Sequence, residues 1–308
     1  MAFCAFTLII IFAGVQNGIE RVSKIMMPIL IVLSVIIAVY SVTRPGALAG
    51  VKYFLVPNVK NFSWMTVVSA MGQMFYSLSI AMGILITFGS YMKKDTAIED
   101  STRNVEVFDT GIAIMAGLMI IPAVFAFSGG DPDTLQAGPS LMFITIPKVF
   151  QNMGFGTVIG IVFFLLVLFA AVTSSIALTE SAVSTFEDEL GWGRKKATVL
   201  VGVIMLVLGS LSSLGYGPLA GIKIIGMQFL DLFDFLTNSV MMPIAALLTS
   251  LLVSRVVGID KIEEEIIHGE SAFRRKKVFV VMIKYLCPVF AIIILLSSVA
   301  NALGWIKM

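Results

Sequence analysis

Three groups of oxygen-bearing residues stand inside apolar runs of this chain, and their types point to ion and small-molecule binding. The first is Ser77-Leu78-Ser79, enclosed by glycines in Gly72-Gln-Met-Phe-Tyr-Ser-Leu-Ser-Ile-Ala-Met-Gly83. Hydroxyls bracketed by glycines mark a place where a membrane helix can unwind and turn backbone oxygens toward a ligand. The second is Thr173-Ser174-Ser175, which follows Phe169-Ala170-Ala171-Val172. Neutral hydroxyls beside main-chain carbonyls hold a hard cation such as Na⁺ weakly enough to release it, as carboxylate cages do not. The same small residues also permit close helix packing, each hydroxyl bonding back to an earlier carbonyl. The third group is a pair of carboxylates. Asp109 stands near the cytoplasmic start of an apolar run, where a carboxylate is either functional or simply wet. Glu180 shares a helical face with Thr173 and Ala177, either as a functional group or as a buried carboxylate tying helices together.

Catalysis has no residues to run on. The single histidine, His268, falls among Glu263, Glu264, Glu265 and Glu270, and there is no HExxH, Cys/His cluster or GxSxG. Cys4 and Cys287 both lie in apolar runs, which implies neither a disulfide framework nor a thiolate metal site. The chain is read as no enzyme, and nothing in it marks a nucleic-acid partner.

The elements that must hold these groups are membrane helices. Hydrophobic residues make up 58% of the 308 and charged ones only 13%, too little charge to cover a soluble surface. Apolar stretches at about 2–16, 25–43, 63–92, 106–128, 155–184, 197–214, 230–254 and 278–302 give about eight spans of an all-α polytopic membrane protein. The stretch from Ser63 to Tyr91 is too long for one simple span: as a straight helix it would reach about 43 Å against a hydrocarbon core of about 30 Å. It is therefore either strongly tilted or broken, and Ser77-Leu78-Ser79 lies at its centre. Pro28 at the start of the second span, and Pro122, Pro243 and Pro288 inside others, each remove a helical hydrogen bond, leaving a static kink or a moving joint.

Charge orients the bundle. The first, third, fifth and seventh loops hold fourteen Lys and Arg, among them Arg21, Lys94, Arg194 and Arg275, against five in the second, fourth and sixth. The basic loops belong in the cytoplasm, which places both ends outside. Met1 then starts outside on an apolar run with no basic segment before it, so something is expected to be missing ahead of it.

These motifs together resemble the neurotransmitter:sodium symporter family, in its prokaryotic amino-acid-transporting branch. Gly18-Ile-Glu-Arg21 through Pro28 is similar to the family's loop between helices four and five. Gly72 to Gly83 resembles its unwound sixth helix. Ala170-Ala-Val-Thr-Ser-Ser-Ile-Ala-Leu178 and Phe186-Glu-Asp-Glu-Leu190 resemble its eighth helix and the loop that follows. Phe127-Ser-Gly-Gly-Asp-Pro-Asp133 through Pro147 is similar to the start of its fourth extracellular loop. The family fold pairs helices one to five with six to ten as inverted repeats, with discontinuous helices at its centre.

The resemblance implies a partial inverted-repeat amino-acid transporter fold, residues 1–308 forming one transmembrane domain of family helices four to eleven. Residues 1–43 would end the first repeat, 63–254 form the second, and 278–302 the final helix. It implies a substrate site of Tyr76, Ser77, Ser79, Met82, Ser174 and Leu178, with Tyr76 as aromatic lid. Ser77 and Asp109 would contribute to a first sodium site, and Ala170, Thr173 and Ser174 to a second, each incomplete because the family's first helix supplies much of both. Asp109, where many members carry asparagine, and Ala113, where chloride-dependent members carry serine, imply chloride independence. Asp234, with Asp231 competing, resembles the acid of the extracellular gate, and Gly18 and Pro28 match a spacing at which the fifth helix of some members unwinds. The implied activity is sodium-coupled symport of a hydrophobic or aromatic amino acid in the cell membrane, with this chain inactive alone; the alternative is a receptor or regulatory protein that keeps the fold without transport.

Overall fold

The computed structural model describes residues 1–129, 138, 140–151, 154–270, 272–303 and 305. The described residues form helices and no strand: α1 Ala2–Phe12, α2 Val15–Val42, α3 Ala47–Leu55, α4 Trp64–Ser77, α5 Ile84–Ser90, α6 Ile98–Ser128, α7 Leu141–Gln151, α8 Gly156–Leu190, α9 Arg194–Leu214, α10 Phe229–Val257, α11 Ile259–Gly269 and α12 Lys276–Ala302. Six of these, α2, α6, α8, α9, α10 and α12, are long and apolar enough to cross a membrane. All eight apolar stretches carry helix. The first holds the short α1, and the stretch at 63–92 divides into α4 and α5.

The expected loop at 17–24 is helical. Gly14, at φ 86°, ends the first run, and the chain restarts at once with a π-helical turn, Val15–Glu20, that leads into α2. Lys24 pairs with Glu20 one turn back at 2.6 Å, so charge at this point caps no span. Gly18 lies inside the π turn, while the helix continues unbroken through Pro28. Three further π-helical turns, at Leu141–Thr145, Phe235–Met241 and Met282–Leu286, stand just before Pro147, Pro243 and Pro288. A proline ring collides with the carbonyl four residues earlier, and widening that turn relieves the collision without ending the helix.

The chain forms two compact units: residues 1–12, 63–106 and 177–308, and residues 13–62 and 107–176. In the second, α2, α6, α7 and the first part of α8 meet around Ile37, Val124, Ile146, Val149 and Phe163. Lipid offers no hydrophobic drive to bring helices together, so contact depends on shape and small residues. Gly50 of α3 shows this: a Cβ there would stand 2.8 Å from the Pro122 Cα and 3.0 Å from the Ile121 carbonyl oxygen of α6. Ser41 adds a buried hydrogen bond to the Met119 carbonyl, 2.7 Å. Along α8, Val158, Ile161, Leu165 and Leu168 are exposed apolar side chains, as lipid-facing positions must be.

In the first unit, α10 packs along α12, and α4 joins them around Phe75, Met242, Ala246, Ala291 and Ile294. α1 lies on α9, where Leu8 closes to 2.9 Å of the place a Cβ on Gly202 would take.

Candidate functional site

α4 opens on a capping box in which the Ser63 hydroxyl accepts from the Thr66 N–H and the Thr66 hydroxyl accepts from the Ser63 N–H. It closes at Ser77. The amides of Leu78, Ser79 and Ile80 fold back to the carbonyls of Met74, Tyr76 and Phe75, and helix resumes only when the Thr87 N–H reaches the Gly83 carbonyl. Between them Ser79 and Ala81 take left-handed backbone, φ 54° and 63°, and Gly83 has φ 78°. For an L-residue with a Cβ each such angle costs about 1–2 kcal/mol. That cost is carried by tertiary contacts: Ile80, Ala81 and Met82 pack on the core of α4, α10 and α12, and the Ser181 hydroxyl of α8 donates to the Met82 carbonyl, 3.4 Å.

Around this break stand Tyr76 and Ser77, both exposed, and Ser79 and Met82, both half-buried; Leu178 is exposed on α8. A cavity of about 150 Å³ opens beside α4, lined by Gly72, Tyr76, Asn238, Ser239, Met242 and Ser298 among others. Asp234 lies a turn from it and accepts from the Asn238 amide at 2.5 Å. Asp231, its competitor for the gate, is exposed on the same helix.

The remaining predicted ligands belong to the other unit. Ala170, Thr173 and Ser174 occupy one turn of α8, and the Thr173 hydroxyl donates to the carbonyls of Phe169, 3.1 Å, and Ala170, 3.0 Å. Its proton is thus turned into the helix, leaving oxygen lone pairs for a cation. This donor set of hydroxyl and carbonyl oxygens fits a hard monovalent ion. Asp109 is half-buried on α6, and Ala113, one turn on, is exposed. Of the motif at 127–133, residues 130–133 lie outside the described residues.

One cluster goes beyond the predicted ligands. The Glu180 side chain is fully buried and meets Arg194 as a fork, Nη1 to Oε1 at 3.0 Å and Nη2 to Oε2 at 2.6 Å. The Tyr91 hydroxyl donates to Oε1 at 2.8 Å, and Arg194 also donates through Nε to the Ile11 carbonyl at 3.0 Å. Glu180 is therefore a carboxylate tying α1, α8, α9 and the end of α5 together. Arg194, counted as a loop cation from the sequence, is the first residue of α9 and turns inward. The one sequence signal was its guanidinium: in Arg194-Lys195-Lys196 only arginine can grip a carboxylate with two parallel bonds.

A second network ties the start of α6 to the segment before α12. The Glu270 carboxylate accepts from the Glu99 N–H at 2.6 Å, Glu99 accepts from the Arg274 N–H at 2.9 Å, and Arg275 pairs with Glu106 at 2.9 Å. The hydrogen bond to Glu106 and its negative charge push the Arg275 guanidinium further up.

Residues 1–305 match the family described as the sodium:neurotransmitter symporter family. The chain belongs to that family. Its members are secondary transporters, not enzymes, and its fold is that of a multi-pass membrane protein. Among similar proteins is the sodium-dependent transporter YhdH of Bacillus subtilis strain 168, 33% identical over 97% of this chain and 66% of that protein. A sodium-dependent transporter of Haemophilus influenzae is 30% identical over 97% of this chain and 64% of its own length. The crystal structure of MhsT in complex with L-phenylalanine superposes with a TM-score of 0.82 at 34% identity, covering 96% of this chain and 66% of that one. The chain thus spans about two thirds or less of the length of these symporter relatives.

Proposed function

We propose that this chain carries a major share of a sodium-coupled amino-acid symporter that works by alternating access in the cell membrane, its basic loops inside and both ends outside. The observation that carries the reading is the break at Ser77–Gly83: a membrane helix interrupted at hydroxyl residues, with left-handed angles at Ser79 and Ala81 that only a surrounding structure can hold. Tyr76, Ser77, Ser79, Met82, Ser174 and Leu178 bind the amino acid, and apolar Met82 and Leu178 favour a hydrophobic or aromatic one. MhsT, the structural neighbour, is complexed with L-phenylalanine, which supports that class.

Na⁺ is cargo and coupling ion. Ser77 and Asp109 supply oxygens to one sodium, and Ala170, Thr173 and Ser174 to a second. Sodium and substrate stabilise the same occluded state, so the sodium gradient drives accumulation. A carboxylate stands at Asp109 where many members carry asparagine, and Ala113 lacks a hydroxyl, both of which favour independence from chloride. Asp234 serves the outer gate. Because this chain spans only part of its relatives' length, the transport proposed is that of the whole transporter, and this chain alone is expected not to accumulate substrate.

The sodium assignment is tested by Thr173→Ala combined with Ser174→Ala in the full-length transporter. Amino-acid binding should lose most of its dependence on sodium concentration; an unchanged sodium titration would remove the second site from the account.

A further inference from the structure

We propose that Ser181 of α8 is a specificity-determining positioning residue, which fixes the direction of Met82 at the edge of the break; the inference rests on the reading of that break as the substrate site. The close approach of this serine to the break has two sides. Its hydroxyl donates to the Met82 carbonyl at 3.4 Å, and a Cβ on Gly83 would lie only 2.6 Å from the same oxygen. The peptide between Met82 and Gly83 is thereby held from both ends: one by a hydrogen bond, the other by a close approach that only glycine, at φ 78°, accommodates.

The neighbours turn this contact into a fixed edge. Ser181 is buried, its own carbonyl accepts from the hydroxyls of Ser184, 3.1 Å, and Thr185, 2.8 Å, and Ser184 in turn meets Thr87 of α5 at 3.2 Å. The hydroxyls of α8 therefore grip α5 one turn below the break as well as at it. With the Met82 carbonyl bonded to Ser181, the backbone that carries Met82 is held where its side chain packs on the core of α4, α10 and α12. Met82 is one of the two apolar side chains proposed above to set the size of the substrate, so Ser181 governs selectivity without touching the substrate.

The test has one arm that needs no transport. In this chain, with Cys4 and Cys287 replaced by alanine, a cysteine is introduced by Met82→Cys and its rate of reaction with a membrane-impermeant thiol reagent is measured. Ser181→Ala should change that rate by about three- to tenfold, the range for losing one neutral hydrogen bond, and Ser181→Thr, which keeps the hydroxyl, should not. An unchanged rate under Ser181→Ala overturns the proposal. A second arm compares Gly83→Ala alone with Gly83→Ala plus Ser181→Ala: the double variant should regain part of the thermal stability in detergent that the single one loses. Equal loss in both would also overturn it. The third arm measures phenylalanine against alanine in the full-length transporter, where Ser181→Ala should lower the preference for phenylalanine about three- to tenfold while maximal rate stays within twofold. If the first two arms behave as stated but no amino acid binds to any variant, the transport reading fails and the positioning contact stands. If phenylalanine binds and its preference is unaltered, the role in selectivity fails.

Discussion

Removing the Glu180 carboxylate is the sharpest perturbation available outside the proposed ligand sites. Its side chain is fully buried, whereas that of Arg194 is 25% exposed. Glu180→Ala strips Arg194 of both fork bonds and Tyr91 of its acceptor, leaving a guanidinium in a partly dry site with Glu187 at 3.4 Å and the Ile11 carbonyl as its remaining partners. Breaking a buried pair by deleting one member costs about 3–5 kcal/mol, and the quarter exposure of Arg194 places this case near the low end, about 3 kcal/mol. Replacing both partners, as in Glu180→Leu with Arg194→Met, leaves no uncompensated charge and should recover more than half of the loss. The half-buried thiols of Cys4 and Cys287 provide the assay, since a thiol-reactive dye reports their exposure as detergent-solubilised protein is heated. The midpoint for Glu180→Ala should fall on the order of 5–10 °C. A shift below about 1 °C, or a double variant no better than the single one, would refute the claim that this ion pair ties the helices.

Two further expectations follow from packing and capping. Gly50→Val should destabilise by about 1–3 kcal/mol, because its side chain meets the backbone of Pro122 and Ile121, which cannot yield; Gly209→Ala, with nothing within 4 Å, should be neutral or better by the same thermal assay. Glu270→Ala should free the Glu99 N–H and speed amide hydrogen exchange over 98–101 by about five- to thirtyfold, as loss of a helix cap worth about 1–2 kcal/mol requires.

What the sequence made legible was what depends on length and order along the chain. That the 63–92 stretch had to tilt or break followed from its excess over the hydrocarbon thickness, an arithmetic of one segment, and the structure shows the break. The left-handed angles at Ser79 and Ala81 did not follow, because the segment that holds them packs on partners far along the chain, the core beneath Ile80, Ala81 and Met82 and, at Met82, the hydroxyl of Ser181. Glu180 was visible as a carboxylate at membrane depth with two open roles. Its partners Tyr91, Arg194 and the Ile11 carbonyl are set by helix packing, and a count of loop charges does not say which cation turns inward. Prolines announced irregular helix without saying that the preceding turn would widen instead of break. The loop expected after the first span became helix because Gly14 made the interruption in one residue, and nothing in 17–24 then stopped helix formation.

Sodium-dependent accumulation of phenylalanine by vesicles bearing the proposed transporter tests the central claim most directly. An inward sodium gradient should raise internal phenylalanine above the external concentration, replacement of sodium by choline should abolish the rise, and replacement of chloride by gluconate should leave it unchanged. Phenylalanine, leucine and tryptophan all failing to accumulate under a sodium gradient would contradict the account.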